Sequence, residues 1–351
     1  MKKQKEMTAL SASRLSTLKG CTWEYYCKYH LKLPDRNNLG AMMGSVCHEI
    51  FELLGDPHHK PEYDKVIAAQ NLEASALCDD LIKKELTKYA VFTPENYKQV
   101  KSMTLNGLNY DFFAQRFVDV HGQPDLEKSE EPFDIIKETT NVRYRVKGFI
   151  DKLWLFKQRT AALIRDFKSS KKKYNTSEME ENMQNLMYTL AVKHLYPETV
   201  KRHVEFLFLQ FKLPEDGKLV GHILDDAELD GFELFLTEVQ KVVDSFDEEY
   251  ALSDTAKDKG YVTDGSFGGM IKCGKARFAG ELKKDGNKMW HCPFKFAFDY
   301  YVLVDKEGKI VDRAFEDEVE RLFDKEEEGF KILKKQYLGC PAWGNKITKS
   351  S

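Results

Sequence analysis

The hydrophobic period of this chain changes near residue 130, and that change constrains the fold more than any other feature. Upstream, apolar residues recur at helical spacing. In residues 41–54 (AMMGSVCHEIFELL), Met43, Val46, Cys47, Ile50, Phe51 and Leu54 share one helical face, with His48 beside it. Gly55-Asp56-Pro57 closes that helix. Residues 64–120 read as mostly helical, with breaks near Pro94 and Gly107. Residues 11–19 predict a short helix, and Cys21, Trp23, Tyr25 and Tyr26 a second, aromatic one. Pro124 and Pro132 bound an acidic connector.

Downstream, residues 133–138 (FDIIKE), 142–156 (VRYRVKGFIDKLWLF) and 161–168 (AALIRDFK) predict three successive strands. Gly148 interrupts the second and implies a bulge or a close backbone approach. An amphipathic helix over 178–195 stops before Pro197; a strand over 202–212 and a long acidic helix over 226–249 follow. The order implies an α/β fold, a central mixed β-sheet flanked by helices. Residues 254–289 are rich in Gly, Lys and Asp; Phe294 to Val304 predicts a strand and 314–337 a charged helix. Three regions are expected: an N-terminal helical region over 1–130, a core over 131–250, and a C-terminal extension over 251–351 packed on the core.

Hydrophobic residues at 42% supply a real core. The net charge of -3 excludes a uniformly basic coat but not a local basic groove. Seven widely spaced cysteines do not read as a secreted disulfide framework. No apolar run approaches the ~20 residues that span a bilayer, so no membrane partner is expected. MKKQKEMTAL lacks an apolar segment after its charges and makes a poor signal peptide, which points to the cytoplasm of a bacterial cell or phage-infected host.

The sharpest constellation is Asp151, then Asp166-Phe167-Lys168. Two adjacent antiparallel strands, turning at Arg159-Thr160, bring the two aspartates together. Alternation puts Asp166 and Lys168 on one face and Phe167 on the other. Carboxylates are hard ligands suited to Mg²⁺ or Mn²⁺. A divalent ion polarises a phosphoryl oxygen and lowers the pKa of an attacking water; a neighbouring lysine orients that water or stabilises developing charge. The arrangement suits phosphodiester hydrolysis. The bland alternative is a pair of solvent-facing aspartates, and for the basic loop Lys171-Lys172-Lys173, which could contact phosphates, an ordinary solvated turn.

GFIDKLWLF, LIRDFKSS and QNLMYTLAVKHLYP together resemble the PD-(D/E)XK nucleases of the RecB and AddB type, and the related CRISPR-associated RecB-type exonucleases. Upstream, GSVCHEIFELL is similar to that family's His-bearing helix, and LSASRLSTLKGCTWEYYCKYHLKLP to its Ser-rich, Cys-aromatic N-terminal segment. The matches run in family order from residue 10 to about 200. The resemblance implies a restriction-endonuclease-like core, with His48, Asp151 and Asp166 as metal ligands and Lys168 as the catalytic lysine. Gln184 and Tyr188 would be the Gln-x-x-x-Tyr pair lining the site, and their i,i+4 spacing does put them on one helix face. A satisfied buried histidine and a core tyrosine are the structural alternatives for His48 and Tyr188.

Many such relatives hold a [4Fe–4S] cluster with one N-terminal and three C-terminal cysteines. Cys21 matches the first, and Cys273, Cys292 and Cys340 fit the count. The spacing departs from the family, whose last three lie close together. Buried cysteines without a ligand role are one alternative, and a zinc site built from Cys273, His291, Cys292 and another ligand is a second.

The resemblance implies a metal-dependent DNA nuclease, an exonuclease or end-processing enzyme in recombination, repair or phage replication. Its substrate would be DNA that is single-stranded or has free ends. Trp23, Tyr25, Tyr26 and Tyr29 would stack on bases or else pack the core. A non-catalytic nucleic-acid-binding scaffold subunit and a phosphoesterase acting on RNA are the competing functions. The chain carries no Gly-x-x-x-x-Gly-Lys-Ser/Thr loop, so a helicase or recombination protein would have to be a separate partner.

Overall fold

The computed structural model describes residues 7–35, 39–175, 178, 182–259, 272–323, 325 and 329–344. They fall into two compact units, one of Met1–Ala12 with Asn37–Asp244, the other of Ser13–Arg36 with Ser245–Ser351. Helix α1 (Ala12–Gly20) begins at the first junction, and the second unit continues with α2 (Thr22–Tyr25).

The first unit opens with a helical layer: α3 (Leu39–Gly55), α4 (Lys60–Ala69), α5 (Ala76–Lys88), α6 (Pro94–Asn109) and α7 (Gln115–His121). Pro94 starts α6, where its missing N–H costs nothing, and the Thr93 side chain caps that end. Gly107 lies inside α6 rather than breaking it; a side chain there would run into the Phe51 ring, so its place is a packing contact. All six apolar residues read along α3 are buried and join Cys78, Ile82 and Leu86 of α5 and Val100 and Met103 of α6 in one core.

A five-stranded sheet follows, in spatial order β1 (Leu126–Glu138), β2 (Arg143–Phe156), β3 (Ala161–Lys168), β4 (Lys201–Phe208) and β5 (Lys218–Val220). β3 and β4 run parallel, joined through α8 (Met183–Leu195), while the other pairs are antiparallel. The mixed sheet flanked by helices agrees with the expected α/β class. β1 and β2 form a long hairpin whose outer half extends beyond β3, because the β2–β3 ladder ends at Lys152↔Arg165. There Leu10 takes the place of β3, pairing with Val146. Gly148 is the close approach its sequence context implied. A Cβ on it would lie 2.7 Å from the ring of Phe133, its cross-strand partner. α9 (Asp226–Asp244) covers one face of this hairpin; Tyr144 donates to Glu233 at 2.7 Å.

Arg165, fully buried one residue before Asp166, ties β3 to β4. It donates to Glu205 Oε2 at 2.9 and 3.1 Å and to the Asp111 carbonyl at 2.6 Å. The bonds occupy its fork and offset the cost of burying both charges.

In the second unit, α10 (Glu248–Ser253) precedes a three-stranded sheet of β6 (Phe298–Val304), β7 (Ile310–Ala314) and β8 (Lys331–Tyr337), in order β7-β6-β8. The expected charged helix over 314–337 is not formed. The described part contains a 3-10 turn (Glu316–Glu318) and the short helix α11 (Glu320–Phe323), and residues from Lys331 on form an edge strand on β6. Gly329, at φ 89°, adopts a backbone conformation that ends any helix. The acidic helix expected over 226–249 stops at Asp244, and the strand expected from Phe294 starts at Phe298. Among the described residues no helix is long and apolar enough to cross a membrane.

Candidate active site

Phe167 is the pivot of the site. Its ring enters the core below the sheet, 4.2 Å from the Phe51 ring of α3. Alternation therefore turns Asp166 and Lys168 to the opposite face, towards α8. There Gln184 and Tyr188, one turn apart, complete a closed polar ring. Tyr188 donates to Asp166 Oδ1 at 2.8 Å. Gln184 Nε2 donates to the same oxygen and to the Tyr188 hydroxyl, each at 3.1 Å. Lys168 Nζ donates to Gln184 Oε1 and lies 2.7 Å from Asp166 Oδ2. That oxygen is buried, and the Lys168 ammonium is the charge that faces it.

Burial works against the charge on Lys168, but Asp166 outweighs it and raises the lysine pKa. Lys168 is therefore a cation here, a donor rather than a base. Burial, reinforced by Asp166 and Asp151, pushes the Tyr188 phenol well above its ordinary value, so it stays protonated.

A second cluster adjoins the ring. Asp151 stands where the β2–β3 ladder ends, and its Oδ2 accepts the Phe167 N–H at 2.8 Å. His48 Nε2 donates to the Phe167 carbonyl at 3.0 Å. That bond leaves Nδ1 facing Asp151 Oδ2 at 3.4 Å and Glu130 Oε1 at 3.7 Å. Glu130 sits opposite Asp151, between the pairs Ser129↔Lys152 and Glu131↔Ile150. Its φ of 48° takes it out of the ladder. A non-glycine residue in that region costs about 1–3 kcal/mol and persists where the surroundings impose it.

One ligand atom from each of His48, Glu130 and Asp151 lies within 4.8 Å of the others. A nitrogen and carboxylate oxygens at that spacing fit a divalent cation. The electrostatics agree. Burial disfavours a proton on His48, yet Asp151, Glu130 and Asp166 lift its pKa to about 9. Burial and Asp166 raise Asp151 to about 7. Such crowded negative charge attracts a cation.

The structure thus gathers all six residues singled out from the sequence: His48, Asp151, Asp166, Lys168, Gln184 and Tyr188. It adds Glu130, whose only signal was its place in an acidic stretch between two prolines. The basic loop is partly engaged: Lys172 pairs with Glu178 at 3.0 Å and Lys173 donates to the Asp216 carbonyl at 2.6 Å.

The cysteine set lies in the second unit. Cys292 N–H donates to the Cys273 carbonyl at 3.2 Å, and Cys340 N–H to the Lys295 carbonyl at 3.2 Å. Lys295 Nζ in turn donates to the Gly274 and Ala276 carbonyls. Burial, with Cys21 and Cys273 nearby, pushes the Cys340 thiol up to about 12. Burial likewise raises Cys273 and Cys292, with Cys21 within electrostatic reach of both. His291 turns Nδ1 to the Cys292 carbonyl at 3.0 Å, and among the described residues Cys273, His291 and Cys292 make no close-packed ligand group. Trp23 and Tyr25 are buried, with Trp23 Nε1 donating to the Tyr337 hydroxyl, so these two rings pack the core and do not stack on bases.

A sequence model of the PD-(D/E)XK nuclease superfamily matches residues 9–259. No curated protein matches the chain significantly. Among solved structures, one from Eubacterium rectale, provisionally named an exonuclease, is 12% identical with a TM-score of 0.39, covering 70% of this chain and 88% of its own. Another, SSO0001, is 11% identical with a TM-score of 0.24, covering 65% of this chain and 87% of its own. The match to the superfamily spans most of the chain, including every residue of the site: the chain belongs to the PD-(D/E)XK nuclease superfamily.

Proposed function

We propose that this protein is a metal-dependent DNA nuclease that works on single strands or free ends. One observation carries the reading: the Asp166–Lys168–Gln184–Tyr188 ring is complete and adjoins the His48–Glu130–Asp151 cluster. A scaffold subunit has no need of a buried ammonium held between a carboxylate and an amide. In this reading His48, Glu130, Asp151 and Asp166 hold Mg²⁺ or Mn²⁺. A bound ion would supply a Lewis acid for the phosphoryl oxygen and lower the pKa of an attacking water. Lys168 presents its ammonium to the scissile phosphate. Gln184 and Tyr188 fix Asp166, and the Phe167 main chain fixes Asp151 and His48. Exposed Lys171 and Lys172 meet the flanking backbone. A helicase or recombination protein that exposes single strands is the matching partner class.

The same proposal includes a [4Fe–4S] cluster on Cys21, Cys273, Cys292 and Cys340. The four thiols lie within electrostatic reach of one another, and that shared neighbourhood supports it. Anaerobically purified protein should then be brown and contain iron.

The test is cleavage of labelled single-stranded DNA, duplex DNA and RNA, each with Mn²⁺ and with chelator, alongside circular single strands. Loss of linear single-stranded DNA only with Mn²⁺, and resistance of circles, is the expected result. No cleavage of any substrate would overturn the reading; preferential cleavage of RNA would move it to the RNA phosphoesterase.

A further inference from the structure

The outer half of the β1–β2 hairpin has one covered and one bare face. Tyr144, Val146 and Ile150 are fully buried, with Phe133 and Ile135 beside them, and Tyr144 meets His194 of α8 and Glu233 of α9. Alternation sends Arg145, Lys147 and Phe149 to the other face, opposite Ile136, Asp134 and Pro132. That face is open: Phe149 is 60% exposed and Ile136 58%. Asp151 continues the same face two residues beyond Phe149, where the sheet meets His48. Two residues of a strand span about 7 Å, the scale of one nucleotide step.

Gly148 packs against the Phe133 ring on the covered side, which leaves no room there for a larger neighbour. Lys147 and Arg145 follow on the open face; Asp134 meets the Arg145 charge at 2.7 Å, and Lys147 is exposed. An aromatic followed by cations, beside a phosphodiesterase centre, complements a nucleic-acid strand: stacking for a base, charge for the backbone.

We infer that Phe149 is a base-stacking platform for the substrate, taking the base next to the scissile phosphate of a single DNA strand, with Lys147 and Arg145 along the flanking backbone. This rests on the nuclease reading and names how the strand is gripped. Stacking tolerates any base, so Phe149 contributes affinity and register rather than sequence preference. It is a positioning residue: it touches the strand beside the reacting phosphate and leaves the reacting atoms to Asp166 and Lys168.

The test pairs Phe149→Ala and Phe149→Trp with oligonucleotides carrying a single abasic site at each position in turn. Binding is measured in Ca²⁺ and cleavage in Mn²⁺, with circular dichroism to confirm folding. Phe149→Ala should raise KM for single-stranded DNA about five-fold or more, and Phe149→Trp should restore it. An abasic site at one position should weaken wild-type binding by a similar factor and leave Phe149→Ala binding unchanged, because the stacking partner is already gone. If the abasic strand weakens wild type and Phe149→Ala equally while wild type still cleaves, the stacking is overturned and the nuclease reading stands. A wild type that cleaves no substrate overturns both.

Discussion

The Phe167 N–H donates to Asp151 Oδ2 at 2.8 Å, across the point where the β2–β3 ladder stops. The carbonyl of the same residue accepts from His48 Nε2, and its ring lies against Phe51. The cation cluster thus hangs from a core residue that touches no substrate. Phe167→Ala should cost about 3–5 kcal/mol in urea unfolding, from the cavity it opens. It should also weaken Mn²⁺ binding, since the main chain that holds both ligands loses its anchor. Phe167→Leu should show smaller losses in both. Wild-type stability in Phe167→Ala would contradict this account.

Metal binding should depend on pH with a definite sign. His48 titrates near 9 and Asp151 near 7, both above their ordinary values. Both groups therefore hold a proton to higher pH than a free side chain does, and both must lose it to ligate. Affinity for Mn²⁺ should therefore rise steadily from pH 6 to 9, with net proton release. Calorimetry in two buffers of different ionisation enthalpy reads that release directly. Without metal the sign reverses. A raised folded pKa stabilises fully below the unfolded value and not at all above the folded one. Metal-free protein should lose this contribution as pH rises from about 4 to 9.

Glu130 offers a separation of stability from function. Its φ of 48° suits glycine. Glu130→Gly should melt no lower than wild type without metal, yet bind Mn²⁺ at least ~10-fold more weakly, as expected for a lost ligand. Unchanged Mn²⁺ affinity would remove Glu130 from the site.

Arg165 and Glu205 hold β3 and β4 in register beside the catalytic strand end. Burial disfavours the Glu205 charge, but His203, Arg165 and Lys218 outweigh it and depress the carboxyl pKa. Its contribution is present above the ordinary carboxylate range and lost as pH falls below it. Arg165→Met leaves Glu205 with Lys218 and His203 but removes its bidentate partner, and should cost about 1–3 kcal/mol. Arg165→Met combined with Glu205→Leu should recover much of the loss. Unfolding midpoints of the single and double variants check both.

Alternation alone was enough to place Asp166 and Lys168 opposite Phe167, and i,i+4 spacing to place Gln184 beside Tyr188. Helical spacing placed His48 beside the apolar face of α3, and only the resemblance singled it out as a ligand. Glu130 was not, since its position depends on a left-handed backbone angle that no side-chain pattern encodes. β8 was misread for a related reason. It is an exposed edge strand, so KILKKQY shows no burial alternation, and its lysines with the preceding glutamates imitate a charged helix. The cysteines stand far apart in sequence, and only the fold of the second unit brings them into one neighbourhood.

The central claim is that Asp166 and its ring perform metal-dependent phosphodiester cleavage. The direct measurement is the initial rate on end-labelled single-stranded DNA in Mn²⁺ for purified wild type and Asp166→Ala, with matched circular dichroism. Wild type should cleave, chelator should abolish cleavage, and a folded Asp166→Ala should show a rate at background. Full activity in Asp166→Ala would contradict it.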